Sequence, residues 1–458
     1  VQHTDIRGTV TINTYDANGM PLTKKIGSKN AISYSYVNGL LEAQTDAKGN
    51  TTRYSYNAIG QMTSKTDANN KVTQFIYDAI GNLLRTTDAN GKTIVTTYNG
   101  NYQKTSVTDA NGNKIEYSYN GNMKNTVTTL PDGHTIRNEY DNEDRVIRTI
   151  DQANNVTTVV YDDAGLIERK QLPDGATIQY KYDAVGNVVK EINPNGAFIT
   201  KIYDNNGNVL SVTDNEGNTT SYEYNAMNKV TKMTNAVAGT TVYVYSESGD
   251  LISETDALGN IKTYTYDEFG NILTVTDAKN NLTTYTYDQN NNLLTVKNAL
   301  NQVTTCTYNA LNQCVSVKDA LGNTIRYGYD ALGRRTTVTD ARNNVFTTFY
   351  DANGNVIKTT DAKGNVISQT TYNVLNLPAS VTDAMGKTTT YTYNALGKVA
   401  TVTDAMNHCQ EYTYNARGMN TAVKDATNHT STVEYDLLGN ITRLEGPLGG
   451  GTTYTYDD

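Results

Sequence analysis

The sequence predicts an all-β protein: a continuous antiparallel meander of hairpins about 21 residues long, which coils as a long ribbon. Runs rich in Thr, Val, Leu, Ile and Tyr alternate with Asp, Asn and Gly, as between Tyr266 and Tyr287. These residue types suit strands and tight turns respectively. One tyrosine also recurs at a fixed period, which is typical of an array whose single units bury no core of their own. Strand twist prevents so long a ribbon from staying flat.

The repeat tyrosine marks nearly every unit, and most steps between neighbours are 21 residues. The step that ends at Tyr56 is one residue short, and we expect a tighter turn at Val37-Asn38-Gly39. The step that ends at Tyr372 is one residue long, and we expect a β-bulge after Asp361. The tyrosines proposed as structural repeat positions are Tyr56, Tyr77, Tyr98, Tyr119, Tyr140, Tyr161, Tyr182, Tyr203, Tyr224, Tyr245, Tyr266, Tyr287, Tyr308, Tyr329, Tyr350, Tyr372, Tyr393, Tyr414 and Tyr435.

Each repeat has two turns. The Tyr turn follows the repeat tyrosine and reads (Asp/Asn)-Ala-x-Gly-Asn, whereas the Asp turn follows a threonine and reads Asp-Ala-x-(Gly/Asn)-Asn. Glycine and asparagine tolerate the positive φ that such turns need. We expect Asn70, Asn155 and Asn344 to take this left-handed position in Asp turns that lack glycine. The Tyr-turn glycines proposed as structural positions are Gly60, Gly81, Gly186, Gly207, Gly270, Gly333, Gly354 and Gly439.

The odd period also constrains the loops. Opposite residues of a hairpin share a face and faces alternate along a strand, so the two turns must differ in parity to keep every tyrosine on one face. We therefore expect a three-residue loop in the Asp turn that begins at Asp277 and a four-residue loop in the Tyr turn after Tyr266. This register places Tyr264 beside Leu273, on the same, more apolar face as Val275.

The repeat pattern divides the chain into three parts. Residues 1–45 are degenerate repeats that could cap the array, residues 46–444 form the regular array, and residues 445–458 are a last, truncated repeat. Pro378 occupies a strand position and predicts a local break, because proline removes a backbone donor. The strand-like Thr453–Tyr456 has unpaired edge groups, so we expect self-association there or continuation into further repeats.

Composition argues against several classes of function. The net charge is −9 and the 38 Lys and Arg residues are scattered, so no basic patch for nucleic acid is expected. No apolar run reaches the ~18 residues of a membrane-spanning helix. Val1 opens directly into strand-like sequence without a signal peptide, so we expect a segment of a longer chain.

The three cysteines are Cys306, Cys314 and Cys409, and we interpret the first two as small apolar substitutes within strands. A bridge between Cys306 and Cys314 is conceivable because one turn brings their strands together. Their expected diagonal register puts the Cα atoms about 7–8 Å apart, which disfavours an unstrained disulfide.

No catalytic residue, metal ligand or cofactor is predicted. The acidic turns, such as Asp88–Gly91, are similar to calcium loops but lack the downstream bidentate carboxylate, and an aspartate at a turn start caps backbone N–H groups anyway. The four histidines lie at unrelated phases of the repeat, and His408 and its neighbour Cys409 should point to opposite faces. The repeated tyrosine face is the main candidate for ligand binding, as a platform for glycans.

A unit of Tyr-Asp-x-x-Gly-Asn-Leu-x-x-x-Thr-Asp-x-x-Gly-Asn-x-Thr-x-Tyr-x-Tyr resembles the YD repeat of the RHS family, over about residues 15–457. That family includes bacterial Rhs and wall-associated polymorphic toxins, the B and C subunits of insecticidal toxin complexes, and teneurins. The resemblance implies an antiparallel ribbon that spirals into a hollow shell, which encloses a C-terminal toxin in the toxin members. Those members end the shell with an autoproteolytic Asp-Pro-x-Gly-Leu segment. This sequence has no match to it, so self-cleavage and toxin activity are not carried over.

We therefore predict a non-enzymatic structural segment of a secreted or cell-surface protein, bacterial in origin. Its expected partners are the remainder of a larger parent chain with a toxin cargo, and further copies through the exposed edge. The alternative is an adhesion module that binds cell-surface glycans through its tyrosine face. Neither hypothesis involves nucleic acid, a membrane span or a cofactor.

Overall fold

The computed structural model describes residues 1–456, and over that range it contains 44 β-strands in one antiparallel sheet and no helix. The predicted all-β antiparallel meander is confirmed. Asp457 and Asp458, the end of the predicted last repeat, lie outside the described residues. Two compact units are each assembled from several chain segments: Val1–Val95, Tyr222–Thr348 and Asp361–Lys363 form unit 1, and the remaining segments form unit 2. The predicted three-part division by repeat regularity stays a prediction.

The strands fall into two alternating classes, numbered β1 to β44 in chain order. The even-numbered strands mostly end at the repeat tyrosine and are Val10–Tyr15, Ile32–Val37, Thr51–Tyr56, Val72–Tyr77, Thr93–Tyr98, Lys114–Tyr119, Thr135–Tyr140, Val156–Tyr161, Thr177–Tyr182, Phe198–Tyr203, Thr219–Tyr224, Thr240–Tyr245, Ile261–Tyr266, Leu282–Tyr287, Val303–Tyr308, Thr324–Tyr329, Val345–Tyr350, Val366–Tyr372, Thr388–Tyr393, Cys409–Tyr414, Thr430–Tyr435 and Gly451–Thr453. The odd-numbered strands, which lie between the Tyr turns and the Asp turns after the irregular first members, are Gln2–Thr4, Pro21–Ile26, Leu40–Thr45, Met62–Thr66, Leu83–Thr87, Lys104–Thr108, Asn125–Thr129, Val146–Ile150, Ile167–Gln171, Val188–Ile192, Val209–Asp214, Val230–Thr234, Leu251–Thr255, Ile272–Thr276, Leu293–Lys297, Cys314–Lys318, Arg335–Thr339, Val356–Thr360, Pro378–Asp383, Val399–Thr403, Asn420–Lys424 and Ile441–Glu445.

The two turns of a repeat have the same loop length, so the expected four-residue Tyr-turn loop is wrong. In the Tyr turn Asp267–Asn271, the N–H of Asp267 donates to the carbonyl of Asn271 at 2.9 Å, and the Asp turn Asp277–Asn281 closes in the same way at 3.2 Å. Each turn therefore encloses three loop residues. The parity difference arises instead in the strand that follows the Tyr turn.

A β-bulge after each Tyr turn supplies the missing residue. Tyr266 lies opposite Ile272 and Tyr264 lies opposite Val275, and the register shifts between these two pairs. Leu273 is the residue that the shift passes over, so it does not lie beside Tyr264 as expected. A bulge inserts one unpaired residue into one strand and can therefore restore the face of every later side chain.

Both irregular steps of the repeat have the predicted cause. Val37 pairs with Leu40, and between them Asn38 and Gly39 have φ values of 52° and 80°. Two positive φ values in a two-residue hairpin loop are typical of a type I′ turn, which is the predicted tighter turn. At the other step, Thr359 pairs with Ser368 and Thr360 with Val366, which leaves one extra residue in a bulge within the predicted segment.

Two smaller expectations are wrong. Asn70 has the expected positive φ of 60°, but in the other two turns Asn154 and Asn343, not Asn155 and Asn344, are left-handed, with φ of 64°. The left-handed residue is the fourth of the turn, one place earlier than we aligned it. Pro378 causes no break, because it is the first residue of its strand, where a sheet accepts proline.

The sheet has no thick apolar core. Among the described residues, the only buried hydrophobic ones are Ala47 and Ala176, and the buried polar ones are Thr9, Ser106 and Thr360. Most strand side chains are half-buried, so cross-strand pairs and turn hydrogen bonds carry much of the cohesion of each unit.

Candidate functional site

The repeat tyrosines form a hydrogen bond that links successive repeats. The hydroxyl of Tyr287 donates to the carbonyl of Ile272 at 2.9 Å, and that of Tyr266 donates to the carbonyl of Leu251 at 2.8 Å. Ile272 opens the bulge after the preceding Tyr turn. The phenol of one repeat therefore supports the bulge of the repeat before it. The same bond, also across 15 residues, is made by Tyr119, Tyr140, Tyr161, Tyr182, Tyr203, Tyr308, Tyr329, Tyr393, Tyr414, Tyr435 and Tyr456.

The extra residue of the long repeat also lengthens the stretch of chain that this hydrogen bond spans. Tyr372 donates to the carbonyl of Val356 at 3.0 Å, across 16 residues instead of 15. Burial is also the first cause of a raised pKa at Tyr266 and Tyr287. A raised phenol pKa keeps the hydroxyl protonated, as a donor must be. At Tyr308 burial, followed by the thiols of Cys306 and Cys314, raises the pKa to about 12.

The glycines predicted for the Tyr turns all have positive φ, between 79° for Gly333 and 103° for Gly81. The N–H of Gly270 donates to the carbonyl of Asp267 at 3.1 Å and closes the turn. Gly270 also faces Arg7, which belongs to the same unit. A Cβ added to Gly270 would lie 3.1 Å from Nη2 of Arg7. The position therefore requires a residue that is both left-handed and small. Its wider role in the array remains a proposal.

The first residue of each turn caps the loop. In the Asp turn Asp256–Asn260, Oδ1 of Asp256 accepts the N–H groups of Leu258 and Asn260 at 2.9 Å each, and Oδ2 accepts Nδ2 of Asn260 at 2.8 Å. These bonds, the one from the Asn260 side chain first, lower the pKa of Asp256. Both carboxylate oxygens therefore already accept hydrogen bonds from the protein. This is the capping role that the sequence favours over calcium binding.

In unit 2, Asp turns of residues 96–221 meet Tyr turns of the later segments. Nδ2 of Asn111 donates to Oδ2 of Asp351 at 2.9 Å, and Nδ2 of Asn353 donates to Oδ2 of Asp109 at 2.6 Å. Asp109 and Asp351 start their turns, and Asn111 and Asn353 are the third residues, which we call tip residues. Each turn thus offers one acceptor and one donor to the other. The pKa values of both aspartates are lowered, because hydrogen bonds outweigh the opposing effect of burial.

Unit 1 has the same arrangement, but one of the two tip residues is charged. Lys48, the tip of an Asp turn, lies 3.0 Å from the carboxylate of Asp288 at the start of a Tyr turn. In return, Asn290 donates to Oδ2 of Asp46 at 2.7 Å. These are the positions of the Asn–Asp pairs in unit 2, with lysine in place of one asparagine.

Further ion pairs continue these contacts within each unit. In unit 1, Nη2 of Arg7 is 2.6 Å from Oδ1 of Asp250, and in unit 2, Nη2 of Arg417 is 2.5 Å from Oδ2 of Asp174. The Asn111–Asp351, Asn353–Asp109, Arg7–Asp250 and Asn290–Asp46 pairs are each 240 to 244 residues apart in the chain. We call these contacts the docked turns. Sequence reasoning missed them, although the polar tips of the early Asp turns were an available signal.

The degenerate segment near the N-terminus takes part in the docking. Within unit 1, the N–H of Ser28 donates to Oε1 of Glu268 at 2.9 Å, and Oγ1 of Thr9 donates to the carbonyl of Glu268 at 2.6 Å. A Cβ on Gly27 would overlap Oε2 of Glu268. The irregular turn 26–30 thus fits around one carboxylate of a Tyr turn. Whether it caps the array remains a prediction.

A cavity of about 260 Å³ lies beside the docked turns of unit 1. Its lining includes Ile26, Ile32 and Phe269 together with Lys29 and Asp46. The ammonium of Lys29 sits 4.2 Å from the centre of the Phe269 ring and donates to Oδ1 of Asn291. Burial lowers its pKa. The lysine therefore packs on an aromatic ring and hydrogen-bonds to an amide side chain in this cavity.

No metal centre is evident in the part of the chain that the structure describes, since no three His, Cys, Asp or Glu side chains come together there. Nδ1 of His408 lies 3.0 Å from Oδ2 of Asp404 within its own turn. Over residues 1–456, no helix is long and apolar enough to span a membrane.

Family comparisons agree with the repeat. The RHS Repeat family model matches more than half of the chain in total, and the Teneurin YD-shell model matches residues 70–201. No curated protein matches the chain significantly. The RHS Repeat matches cover residues 34–72, 203–241, 245–282, 269–303, 308–345, 350–383 and 372–405.

Solved structures share the fold. A TcdB2-TccC3 structure without its hypervariable C-terminal region matches with a TM-score of 0.68 and 13% identity, over 95% of this chain and 32% of that chain. TcdB2-TccC3-TEV matches with a TM-score of 0.66 and 13% identity, over 97% and 30% respectively. A Tc holotoxin pore of Photorhabdus luminescens matches with 0.64 and 15%, over 96% and 29%. The chain spans about a third of the length of these proteins.

Proposed function

Because the chain belongs to the RHS repeat family, we propose that it is a non-enzymatic wall segment of a shell in a larger secreted bacterial protein, and that this shell encloses a C-terminal toxin. The fold similarity to TcdB2-TccC3 supports the structural role. The chain spans about a third of those structures, so the enclosed cargo belongs to the rest of the parent protein.

The docked turns are the observation that carries the proposal. A wall one sheet thick must hold together without a deep core, and docked turns provide lateral contacts between ribbon segments that are distant in the chain. In unit 2 the Asn111–Asp351 and Asn353–Asp109 pairs do this with side-chain hydrogen bonds of 2.9 and 2.6 Å.

Protease protection of the cargo tests the proposal. We would express the natural reading frame that contains residues 1–458 and compare the cleavage rate of the sequence downstream of Asp458 with that of the same sequence expressed alone. We expect protection of at least ten-fold in the full frame. Asp351→Ala, which removes a docked contact, should reduce the protection, whereas Asp256→Ala, in a turn with no docked partner among its described contacts, should leave most of it. Equal cleavage of the enclosed and isolated sequences would contradict enclosure.

The predicted alternative, glycan binding by the tyrosine face, gains no specific support. A glycan platform needs free hydroxyls or exposed rings, but hydroxyls such as that of Tyr266 already donate to backbone carbonyls. Glycan binding by the tyrosine face therefore stays a prediction. A glycan-array signal that is lost when Tyr264, Tyr266 and Tyr285 are changed to Ala would revive it.

A further inference from the structure

Lys29 is held at the docked turns of unit 1 by its two neighbours in the chain. The N–H of Ser28 donates to Oε1 of Glu268 at 2.9 Å, and the N–H of Asn30 donates to Oε1 of Gln289 at 2.8 Å. Glu268 and Gln289 are the second residues of two successive Tyr turns. The backbone on both sides of Lys29 is therefore anchored to the later segment, and the lysine side chain extends from a fixed base.

The ammonium of Lys29 meets the side-chain amide of Asn291. Its Nζ donates to Oδ1 of Asn291, and the same oxygen accepts Nδ2 of Asn271 at 2.7 Å. The ring of Phe269 packs against the ammonium, with its centre 4.2 Å from Nζ. Because Oδ1 is one C=O bond of about 1.2 Å from Cγ, Nζ lies within about 4 Å of the amide carbon, near the separation of reacting atoms in a near-attack arrangement.

Burial changes the chemistry of this amine. Lys29 is half-buried, and burial lowers its pKa against the opposing effect of nearby carboxylates, Asp267 first. A lowered pKa leaves a larger fraction of the amine uncharged and nucleophilic near neutral pH. The Asn271 amide polarises the carbonyl of Asn291, and it is placed to stabilise the negative oxygen that forms when an amine adds to Cγ.

Glu268 supplies a carboxylate beside this pair. It lines a second cavity, of about 420 Å³, together with Lys29 and Asn291, and its Oε1 is bonded to the residue before the lysine. Asp267 and Asp288 line that cavity as well, but each caps N–H groups of its own turn. Glu268 is therefore the carboxylate best placed to exchange protons with the amine.

We propose that Lys29 and Asn291 form an intramolecular isopeptide bond, with Glu268 as the proton carrier. The uncharged amine of Lys29 attacks Cγ of Asn291, and the carbonyl oxygen becomes a tetrahedral oxyanion that Asn271 stabilises. Glu268 takes the proton that the attacking nitrogen loses and delivers it to the departing amide nitrogen. The Cγ–Nδ2 bond breaks, ammonia leaves into solvent from the exposed Asn291, and Nζ stays bonded to Cγ. One amine and one carboxamide thus become one secondary amide and one ammonia molecule, without an oxidant.

The bond joins two segments that are far apart in the chain. Lys29 and Asn291 are separated by 262 residues, so the covalent loop includes more than half of the chain. A crosslink that closes a long loop restricts the unfolded chain and stabilises the folded one. The docked turns of unit 1 then stay together under conditions that break their hydrogen bonds. This consequence does not depend on whether the shell encloses a cargo.

Intact mass and peptide mapping of the full chain test the proposal. After incubation at neutral pH, the purified protein should be lighter than its sequence mass by one ammonia molecule. Trypsin should fail to cleave after Lys29 and should release a branched peptide that joins the Lys29 and Asn291 segments. An unchanged mass would overturn the proposal. A loss of ammonia without the branched peptide, as from a succinimide at an Asn-Gly sequence, would overturn it as well.

The variants are chosen to keep the fold. Asn291→Gly introduces at this left-handed position the residue that the preceding Tyr turn carries as Gly270, and it should abolish the crosslink. Lys29→Arg keeps the positive charge but cannot form the amide, so the protein should have its full sequence mass. Glu268→Gln keeps an acceptor for the N–H of Ser28 and should slow the loss of ammonia at least about ten-fold, because a general acid–base group is removed.

Asn312 provides the matched control. It is the equivalent asparagine one repeat later, with φ of 60° against 66° for Asn291, and its Oδ1 accepts the amides of Asn290 and Asn292. Asn312→Gly should therefore leave the branched peptide unchanged. A branched peptide that persists in Asn291→Gly would overturn the proposal, and an unchanged rate in Glu268→Gln would overturn the role of that carboxylate.

Discussion

Unit 1 contains two rows of Asp turns with the same loop but opposite surroundings. In the early row, within residues 1–95, the tip Lys48 is engaged with Asp288 of the later segment. In the later row, the tips Leu258, Leu300 and Leu321 are 88%, 77% and 87% exposed. One loop design thus serves both as an internal contact and as an outer surface. The early and the later row therefore differ in the tip residue and not in the loop.

The shared part of the design is the capping aspartate. Asp46 and Asp256 each accept the N–H groups of the third and fifth turn residues and the side chain of the fifth, with similar distances. Only Asp46 also accepts Asn290 from across the docked contact. Substitutions matched between the rows can therefore separate loop formation from docking.

The largest effect is expected from removing a docked carboxylate. Asp351→Ala deletes the acceptor of Asn111 as well as the acceptors of the backbone N–H and the side chain of Asn355 within its own turn. The free energy of unfolding should fall by about 3 kcal/mol, because partly buried donors lose a charged acceptor. Chemical denaturation measures this. Asp256→Ala, at the start of a turn without a docked partner among its described contacts, loses only turn bonds and should lower the free energy of unfolding clearly less. Equal losses would show that docking contributes nothing.

Exchanging the tips should give the next largest effect. Asn111→Leu makes a docked tip resemble Leu258 and leaves the Asp351 carboxylate facing an apolar side chain, so we expect a loss of about 2 kcal/mol. The reverse change, Leu258→Asn, lies on the exposed row and should alter stability by less than about 0.5 kcal/mol. Thermal unfolding of both variants tests this. A large loss from Leu258→Asn would mean that the exposed row is covered in solution.

The tyrosine bond provides a contact that docking should not affect. Tyr182→Phe and Tyr287→Phe remove the same hydroxyl from an early and a later repeat, at donor–acceptor distances of 2.8 and 2.9 Å. Each should cost about 1 kcal/mol, the usual net value of one hydrogen bond. Equilibrium unfolding in urea compares the two. Losses that differ by a factor of two or more would show that early and later repeats also differ within the sheet.

The last prediction is distinguished by its pH dependence and concerns Asp351→Asn. The pKa of Asp351 is lowered because hydrogen bonds from Asn355 and Asn111 outweigh burial. A lowered pKa contributes stability above the unfolded value of about 3.9, and this stability is lost as the pH falls through the folded pKa. Asparagine keeps one acceptor oxygen, turns an NH2 group toward donors that the second carboxylate oxygen accepts, and does not titrate. Stability should therefore be lower than that of the wild type at pH 7, by less than in Asp351→Ala, and should fall less steeply below about pH 4. Parallel pH profiles for variant and wild type would contradict this.

Local chemistry explains why much of the fold was predictable. Strand and turn residues alternate in every repeat, and the short step before Tyr56 and the long step before Tyr372 each had a clear local cause. The bulge after Tyr266 was missed because a loop and a bulge satisfy the parity condition equally. Their difference lies in hydrogen bonding, which sequence periodicity does not reveal.

Docking was less predictable for a different reason. A sequence that repeats every 21 residues gives no indication of which distant turn meets which, because all turns look alike. Only departures from the repeat carry that information, and Arg7, Asp174 and Arg417 are such departures.

The spacing of the docked turns has a consequence for how this array can change in length. Arg7 meets Asp250, and one repeat earlier the equivalent position is Lys229. Asp174 meets Arg417. The positions equivalent to Arg417, one repeat earlier and one repeat later, are both leucines. A gain or loss of one whole repeat between two docked segments would thus place like charges together or leave a charge without its counterpart. Duplication and deletion of repeats, easy at the level of the gene, are therefore constrained by a few charged tips, and changes in array length should occur outside the docked span or together with new tip residues.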